Sequence, residues 1–271
     1  MGKTASHGHA EPHADGAFTI VCRDVTKVYQ TLEGERIHAL ADIGLAVHEG
    51  EFLSVVGPSG CGKSTLLRLL AGTLPKTTGE ILLRGSPVLG PRRDIGIVFQ
   101  TATLLPWRNV LQNTLLPVDV QGLDRKTYTE RAHELLKMVG LAGFERKYPF
   151  ELSGGMQQRV SITRALVHDP AVLLMDEPFG ALDAMTRQGL QDEMLSIVAE
   201  TGATVFFVTH DLEEAVYIGD RVIGLLPNPG RIGIDLRVDL PRPRSQLETR
   251  ELPEFLRLRR ELFDFIEKAE A

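Results

Sequence analysis

Cysteine is scarce in this sequence: only Cys22 and Cys61 occur among its 271 residues. Two cysteines cannot build the disulfide framework of a small secreted domain, so we expect a reducing compartment. Long apolar runs are missing as well. No segment approaches the about 18 apolar residues that a membrane span needs, and no signal-peptide pattern opens the chain. We therefore expect a chain that does not itself cross a membrane.

The sequence also has no excess of positive charge. Its 30 lysines and arginines stand against 36 aspartates and glutamates, which gives a net charge of −6. This balance argues against general nucleic-acid binding, although it leaves room for a local basic patch. Internal repeats are absent too. A chain of this length without repeats is expected to form one α/β domain with an inserted subdomain.

The first seventeen residues are small and polar and show no periodicity. They predict a disordered tail over residues 1–17. Its three histidines, His7, His9 and His13, would either bind a metal or belong to a solvated low-complexity segment. The second interpretation is the simpler one.

The rest of the chain alternates strand and helix patterns, which indicates an α/β core with a mostly parallel sheet. Strand-like, hairpin-like segments at its start predict an N-terminal antiparallel β subdomain. Helical periodicity dominates about residues 101–169, which predicts an inserted helical subdomain. The main domain would span 18–245, followed by an amphipathic helix over 246–271. That helix would either pack on its own domain or act as a regulatory or dimer-contact element.

The segment "GPSGCGKST" is a phosphate loop, since it matches G-x-x-x-x-G-K-[ST] between an apolar strand and a helix. Its glycines let backbone N–H groups surround an anion, and the helix N-terminus adds its dipole. Lys63 would reach the β and γ phosphates, Ser64 would bind Mg²⁺, and Thr65 would support the α-phosphate. This motif predicts a P-loop NTPase core that binds ATP and Mg²⁺. The predicted nucleotide-binding positions of the loop are Gly57, Pro58, Ser59, Gly60, Cys61, Gly62, Lys63, Ser64 and Thr65.

Two acidic residues and a histidine follow predicted strands. Asp176 ends the apolar run "VLLMD" and is predicted to complete the Mg²⁺ site. Glu177 is the candidate base that orients or deprotonates the attacking water. His210 follows the strand "TVFFVT", on the sheet edge where ligands bind in open α/β folds. On its position alone, His210 could equally be an ordinary loop histidine.

Gln100 and Tyr29 are weaker candidates. Gln100 is predicted to end a strand at the start of the helical insertion, where its amide oxygen could contact Mg²⁺ or the water. Through such a contact, the helical insertion would respond to bound nucleotide. Tyr29, on the first predicted strand, would either stack on a base or be an ordinary half-exposed strand aromatic.

A second glycine turn, "LSGG" at residues 152–155, opens a predicted helix and is called here the glycine-pair turn. Ser153 is the predicted N-cap. The Ser153 hydroxyl and the N–H groups of Gly154 and Gly155 could hold phosphate oxygens without a lysine. Because the chain already has a complete phosphate loop, we interpret this turn as a half-site that acts on ATP bound to another chain. The simpler alternative is a helix start that binds nothing.

Together these motifs resemble the ATP-binding subunits of ABC transporters, over about residues 18–244. The shared motifs are the phosphate loop, Gln100, "LSGGMQQR", "LLMDEPFGALD" and His210. Within that family the chain is similar to subunits of bacterial importers of nitrate, sulfonates or taurine, through "LLPW", the methionine of the glycine-pair motif and "PNPGRI…LPRPR". Met156 stands where the common family pattern has glutamine, so a contact from this position to the ribose is in doubt.

The resemblance implies roles and partners beyond those read from the residues. Tyr29 would stack on adenine, His210 would contact the γ-phosphate, and Asp183 would lie at the interface of a head-to-tail dimer of two copies. Residues 104–107 would receive a cytoplasmic helix of an integral membrane permease. The chain would then be a peripheral protein on the cytoplasmic face of the inner membrane, served indirectly by an extracytoplasmic substrate-binding protein. A soluble ABC-type ATPase acting on nucleic acid or ribosomes is the alternative.

Overall fold

The computed structural model describes residues 18–270, which form two sheets and nine α-helices within that range. The predicted N-terminal tail with its three histidines lies outside the described residues. The strands are β1 (Phe18–Gln30), β2 (Arg36–His48), β3 (Phe52–Val56), β4 (Thr78–Leu83), β5 (Ser86–Pro87), β6 (Ile95–Val98), β7 (Val172–Asp176), β8 (Thr204–Val208), β9 (Arg221–Leu226) and β10 (Arg231–Arg237). The helices are α1 (Lys63–Leu70), α2 (Val110–Thr114), α3 (Leu116–Gln121), α4 (Arg125–Met138), α5 (Gly154–Leu166), α6 (Ala184–Thr201), α7 (Leu212–Ile218), α8 (Glu248–Glu251) and α9 (Pro253–Glu270).

The larger sheet has six strands in the order β10-β9-β3-β8-β7-β6. All neighbouring pairs from β9 to β6 are parallel, and only β10 runs antiparallel, at the β9 edge. Every residue of β3 and β8 is buried, as expected for central strands of a sheet that is covered on both faces. The predicted α/β core with a mostly parallel sheet is therefore confirmed.

The smaller sheet is antiparallel, with the order β2-β1-β4-β5. It touches the core sheet where the backbone of β2 meets Gly230, through bonds from the Ala41 N–H to the Gly230 carbonyl (2.9 Å) and from the Gly230 N–H to the Ala39 carbonyl (3.0 Å). The neighbouring Leu40 is fully buried in the core. This sheet is the N-terminal antiparallel part of the predicted fold, although the pattern alone did not indicate β4 and β5.

Helices α2 to α5 lie between β6 and β7 in the chain, as predicted for the helical insertion. A short 3₁₀ turn at Pro149–Glu151 leads into the glycine-pair turn. The buried faces of these helices share one apolar cluster with β7, α6 and α7. The Arg164 guanidinium of α5 donates to the carbonyls of Ala102 (2.9 Å) and Thr103 (3.0 Å), which ties the segment after Gln100 to this helix.

The last helix, α9, packs on its own chain. The predicted helix over 246–271 is divided into α8 and α9, with Leu252 between them. Phe255, Leu258 and Leu262 of α9 are buried in the cluster that also holds α7. None of the helices between residues 18 and 270 is both long enough and apolar enough to span a bilayer.

Candidate nucleotide site

The phosphate loop turns from β3 into α1, and two of its glycines have no room for a side chain. Gly62 has a φ of +101°, and a Cβ there would lie 2.6 Å from Cδ2 of Leu40. A Cβ on Gly57 would lie 2.8 Å from the Leu225 carbonyl oxygen. Only glycine fits both positions, and the resulting backbone loop at a helix N-terminus is suited to bind phosphate.

Lys63 lies inside this loop and is only 8% exposed. Its ammonium donates to the carbonyls of Gly57 (2.6 Å) and Pro58 (2.9 Å), and it lies 3.8 Å from the Cys61 sulfur. Burial raises the pKa of the Cys61 thiol, against the opposing charge of Lys63, so this cysteine stays protonated. The loop therefore holds the positive charge of Lys63 at the place where a polyphosphate would bind.

Ser64 and Asp176 meet at the edge of the sheet. The Ser64 hydroxyl donates to Oδ1 of Asp176 at 3.2 Å, across 112 residues of sequence. Burial raises the pKa of Asp176, and the Ser64 hydrogen bond opposes that rise. A hydroxyl beside a half-buried carboxylate is an oxygen donor set that fits Mg²⁺.

Glu177 and His210 form a second pair next to the first. β7 and β8 are neighbours, so the residues that follow them come together, and His210 Nδ1 lies 3.2 Å from Glu177 Oε2. The Glu177 N–H donates to the Val208 carbonyl at 2.9 Å. Glu177 has a φ of +47°, a left-handed conformation that costs about 1–3 kcal/mol in a residue with a side chain. Strain of this kind is typical of functional sites.

Gln100 lies beyond the strand rather than at its end, because β6 stops at Val98. This corrects the predicted strand boundary. The Gln100 amide packs against the loop that follows Glu177: a Cβ on Gly180 would lie 3.0 Å from Nε2 of Gln100. The residue therefore contacts the loop that follows Glu177 from the start of the helical insertion.

The glycine-pair turn has the predicted cap. The Ser153 hydroxyl accepts from the Met156 N–H at 3.3 Å, and α5 starts at Gly154. Ser153 and Gly154 are exposed, whereas Gly155 is buried. A Cβ on Gly155 would lie 2.5 Å from Cγ2 of Thr186, so glycine is required there as well.

Asp183 caps α6, a role that the sequence did not indicate. Its Oδ1 accepts from the Thr186 N–H at 3.1 Å, and bonds to Thr186 lower the pKa of the Asp183 carboxyl. Because Thr186 also contacts Gly155, the structure brings Asp183 and the glycine-pair turn together.

Tyr29 is on β1 in the antiparallel sheet and is partly exposed. The Lys27 ammonium lies 5.0 Å from the centre of its ring, a cation–π contact. This contact is compatible with both predicted roles of Tyr29, so the adenine role stays a prediction.

Three supporting residues escaped the sequence analysis. Leu40 and Thr186 are ordinary apolar contacts of Gly62 and Gly155, and no local pattern marks such long-range neighbours. Glu214 stands three residues after Asp211, a spacing from which the sequence predicts a purely structural, capping-box-like start for α7. The structure corrects this, because Asp211 alone caps α7 and the Glu214 carboxylate turns inward to Thr209. A glutamate four residues after a candidate catalytic histidine was the available signal.

Comparisons with known proteins identify the family to which the chain is similar. A protein-family model described as ABC transporter matches residues 40–180. A nitrate import ATP-binding protein of Synechococcus elongatus is 47% identical over 90% of this chain, which spans only 38% of that relative's length. A taurine import ATP-binding protein of Roseobacter denitrificans is 42% identical, over 88% of this chain and 90% of its own.

A solved structure gives the same result for the fold. It is a dimeric ATP-binding cassette in a post-hydrolysis state bound to ADP and Pi, with a TM-score of 0.70 and 36% identity, and the match covers 81% of this chain and 98% of that one. With its phosphate loop, its paired strand-end acids and these matches, the chain belongs to the ABC transporter family, as an ATP-binding subunit.

Proposed function

We propose that this chain is the ATP-hydrolysing, energy-coupling subunit of a membrane importer whose cargo is a small anion such as nitrate, a sulfonate or taurine. The observation that carries the ATPase role is the meeting of two pairs at one sheet edge, Ser64 with Asp176 and Glu177 with His210. The cargo rests on the names of the nitrate and taurine import relatives.

The part of the site that would bind ATP and Mg²⁺ consists of the phosphate loop, Asp176, Gln100 and Tyr29. Lys63 and the loop N–H groups bind the β and γ phosphates, exchanging the carbonyl partners of the ammonium for phosphate oxygens. Ser64 and Asp176 would hold Mg²⁺, with the Gln100 amide oxygen as a further contact. When bound, the metal ion neutralises charge that develops on the phosphoryl oxygens. Tyr29 would stack on the adenine.

The hydrolytic half consists of Glu177 and His210. One carboxylate oxygen of Glu177 is within reach of His210, which keeps the side chain in place. The other oxygen would accept the proton of the attacking water. Glu177 follows β7 directly with a left-handed backbone, and its carboxylate lies beside His210. His210 would also contact the γ-phosphate.

A second copy of the chain would complete the site in a head-to-tail dimer. Ser153, Gly154 and Gly155 would contact the γ-phosphate of ATP held by the partner chain, with Asp183 at the interface. Their placement supports this, since the turn and Asp183 share one surface through Thr186. The similar cassette is dimeric and carries ADP and Pi, which also supports it.

Permease subunits would bind at the segment after Gln100, where Trp107 is 71% exposed. The chain would then lie on the cytoplasmic face of the membrane and respond indirectly to a substrate-binding protein.

A role on nucleic acid or ribosomes has no observation in its favour, and the net charge of −6 weighs against it.

The ATPase role is tested with Glu177→Gln. We expect kcat to fall by about 10²–10⁴-fold, because the amide cannot accept the water proton, while the Kd for ATP stays within about threefold. Glu200→Gln, at an exposed position on α6, is the matched control and should leave both constants unchanged. Equal turnover in the two variants would contradict the assignment of the base.

The importer role and its cargo need the assembled transporter. The chain should co-purify with integral membrane subunits, and its ATPase in proteoliposomes should rise when nitrate, taurine or another sulfonate is added with the binding protein. Stimulation by none of these anions would overturn the cargo, and the absence of a membrane partner would overturn the transporter role.

A further inference from the structure

Three polar side chains are buried behind the candidate catalytic histidine, and the proposed hydrolysis does not use them. Gln191 on α6 is 1% exposed, Thr209 at the end of β8 is 2% exposed, and Glu214 on α7 is 4% exposed. Buried polar groups of this kind are costly unless they are bonded to one another, so their bonding pattern is informative.

The hydrogen bonds among them have a fixed direction. Glu214 accepts at Oε1 from the Gln191 amide (2.9 Å) and at Oε2 from the Thr209 hydroxyl. The Thr209 oxygen in turn accepts from the Asp211 N–H at 3.0 Å. These bonds fix the residues on both sides of His210, so the turn that carries the imidazole is held by Glu214.

The other end of this chain of bonds lies in the C-terminal segment. Oε1 of Gln191 accepts from Arg250 (3.3 Å) and from the Gln246 amide (3.3 Å). A guanidinium can only donate, so Arg250 forces Gln191 to present its oxygen outward and its NH₂ group to the interior. Arg250 is itself held by Glu213 at 2.8 Å and lies 4.9 Å from the centre of the Tyr217 ring.

We propose that this chain of hydrogen bonds, the C-terminal relay, positions His210 for ATP hydrolysis from the C-terminal segment of the protein. Its members are Arg250, Gln191, Glu214 and Thr209. They are positioning residues, since they act through His210. The proposal rests on the hydrolytic role proposed above for His210.

The polarity of the relay explains why a glutamate occupies position 214. Both of its oxygens face donors, so a glutamine there has two possible orientations. Its NH₂ group would either meet the NH₂ group of Gln191, or donate to Thr209, whose hydroxyl would then lose the acceptor that Glu214 provides. Gln191 cannot rotate its amide to compensate, because its NH₂ group would then face Arg250. The His210 turn would shift, and displacements of about 1 Å in a catalytic group can cost on the order of 10²-fold in rate.

This polarity permits a swap that tests the relay directly. Glu214→Gln alone either places two amide donors together or reverses the bond to Thr209, and Gln191→Glu alone places two buried carboxylates together. In the double variant, Glu at 191 accepts from Arg250 and from the new amide at 214, while the carbonyl oxygen of that amide accepts from Thr209. Every bond is restored with the two residue types exchanged.

The measurements are kcat, the Kd for ATP and the melting temperature of the full chain. We expect Glu214→Gln to lower kcat about tenfold with the Kd within about twofold, and the swap to restore kcat to within about threefold of wild type. A folded swap variant with the low kcat of the single variant would overturn the proposal. So would a loss of kcat and ATP affinity in equal measure, because that pattern indicates general damage.

A milder variant decides the matter if the position 214 variants do not fold. Arg250→Gln leaves the interior unchanged, and we expect kcat to fall about threefold with unchanged Kd. Arg257→Gln is the matched control, since Arg257 pairs only with Glu254 and Glu261 on the exposed side of α9 among the described residues. Equal kcat values for these two variants would overturn the relay.

Wild type and Glu177→Gln are assayed in parallel. If their kcat values do not differ, the result counts against the proposed catalytic site and not against the relay alone.

Discussion

The chain contains two glycine-rich turns at helix N-termini, and they differ in how complete they are. In the phosphate loop, Lys63 is buried and bonded to two loop carbonyls, and Ser64 next to it reaches Asp176. In the glycine-pair turn, Ser153 and Gly154 are exposed, and the Ser153 hydroxyl accepts from the Met156 N–H of its own helix. The first turn therefore holds a buried cation in place, whereas the second turn presents exposed backbone to its surroundings.

This difference bears on how the two turns would cooperate. A turn without a lysine supplies only partial charges from N–H groups and the helix dipole, which stabilise an anion by about 0.3–1 kcal/mol at an exposed site. Such a turn cannot compete with the phosphate loop for free ATP. It becomes effective once ATP is already bound elsewhere, which is what a dimer closing on nucleotide would provide.

The strongest test of this contrast substitutes each turn separately. Lys63→Ala removes the buried charge, so we expect the single chain to lose ATP binding and turnover by more than about 100-fold. Ser153→Arg places a bulky cation on the exposed turn, so we expect normal ATP binding to the monomer but no ATP-driven dimerisation and no turnover. Equilibrium nucleotide binding and light scattering with and without ATP measure the two outcomes.

The control for this pair is the ATP affinity of the monomer. If Ser153→Arg weakened that affinity as much as Lys63→Ala does, the two turns would serve the same bound nucleotide within one chain. The proposal of a half-site acting on a partner would then fail.

A second test uses the contact that holds the glycine-pair turn in place. Gly155→Ala brings a Cβ to 2.5 Å from Cγ2 of Thr186, so we expect the free energy of unfolding to fall by about 1–3 kcal/mol. Thr186→Ser in the same chain removes that methyl group and should restore most of the loss. Gly154→Ala is the matched control, because its Cβ would have no neighbour closer than 4.0 Å. Similar unfolding curves for the two alanine variants would show that Thr186 does not constrain the turn.

The sequence predicted the fold class because its signals are local. Buried strands such as β3 and β8 are short apolar runs, and the phosphate loop is a contiguous motif, so both were found and the fold was confirmed. Strand β4 was not indicated, because its outer residues are polar and its pairing partner β1 is more than 50 residues away.

The site was predictable in its parts but not in its contacts. Asp176 and Glu177 could be placed at a strand end, yet the 3.2 Å approach of His210 to Glu177 depends on β7 and β8 being neighbours. The inward turn of Glu214 and the contact of Thr186 with Gly155 are likewise tertiary. The chain positions of these residues are local signals, whereas their contacts depend on how the strands and helices pack.

The smallest expected effect concerns Met156, where the common family pattern has glutamine. The Met156 backbone N–H donates to the capping hydroxyl of Ser153 whatever the side chain at position 156 is, and the Met156 side chain packs against the core cluster. Met156→Gln should therefore cost about 1 kcal/mol of stability and change the ATP concentration for half-maximal turnover by less than about threefold. Met185→Gln is the control, since Met185 is 78% exposed and its loss should change stability by less than about 0.5 kcal/mol. A tenfold improvement in half-saturation for Met156→Gln would mean that position 156 contacts the nucleotide. The glycine-pair turn would then contact a part of ATP other than its phosphates. The two turns would then differ less in how much of the nucleotide each one binds.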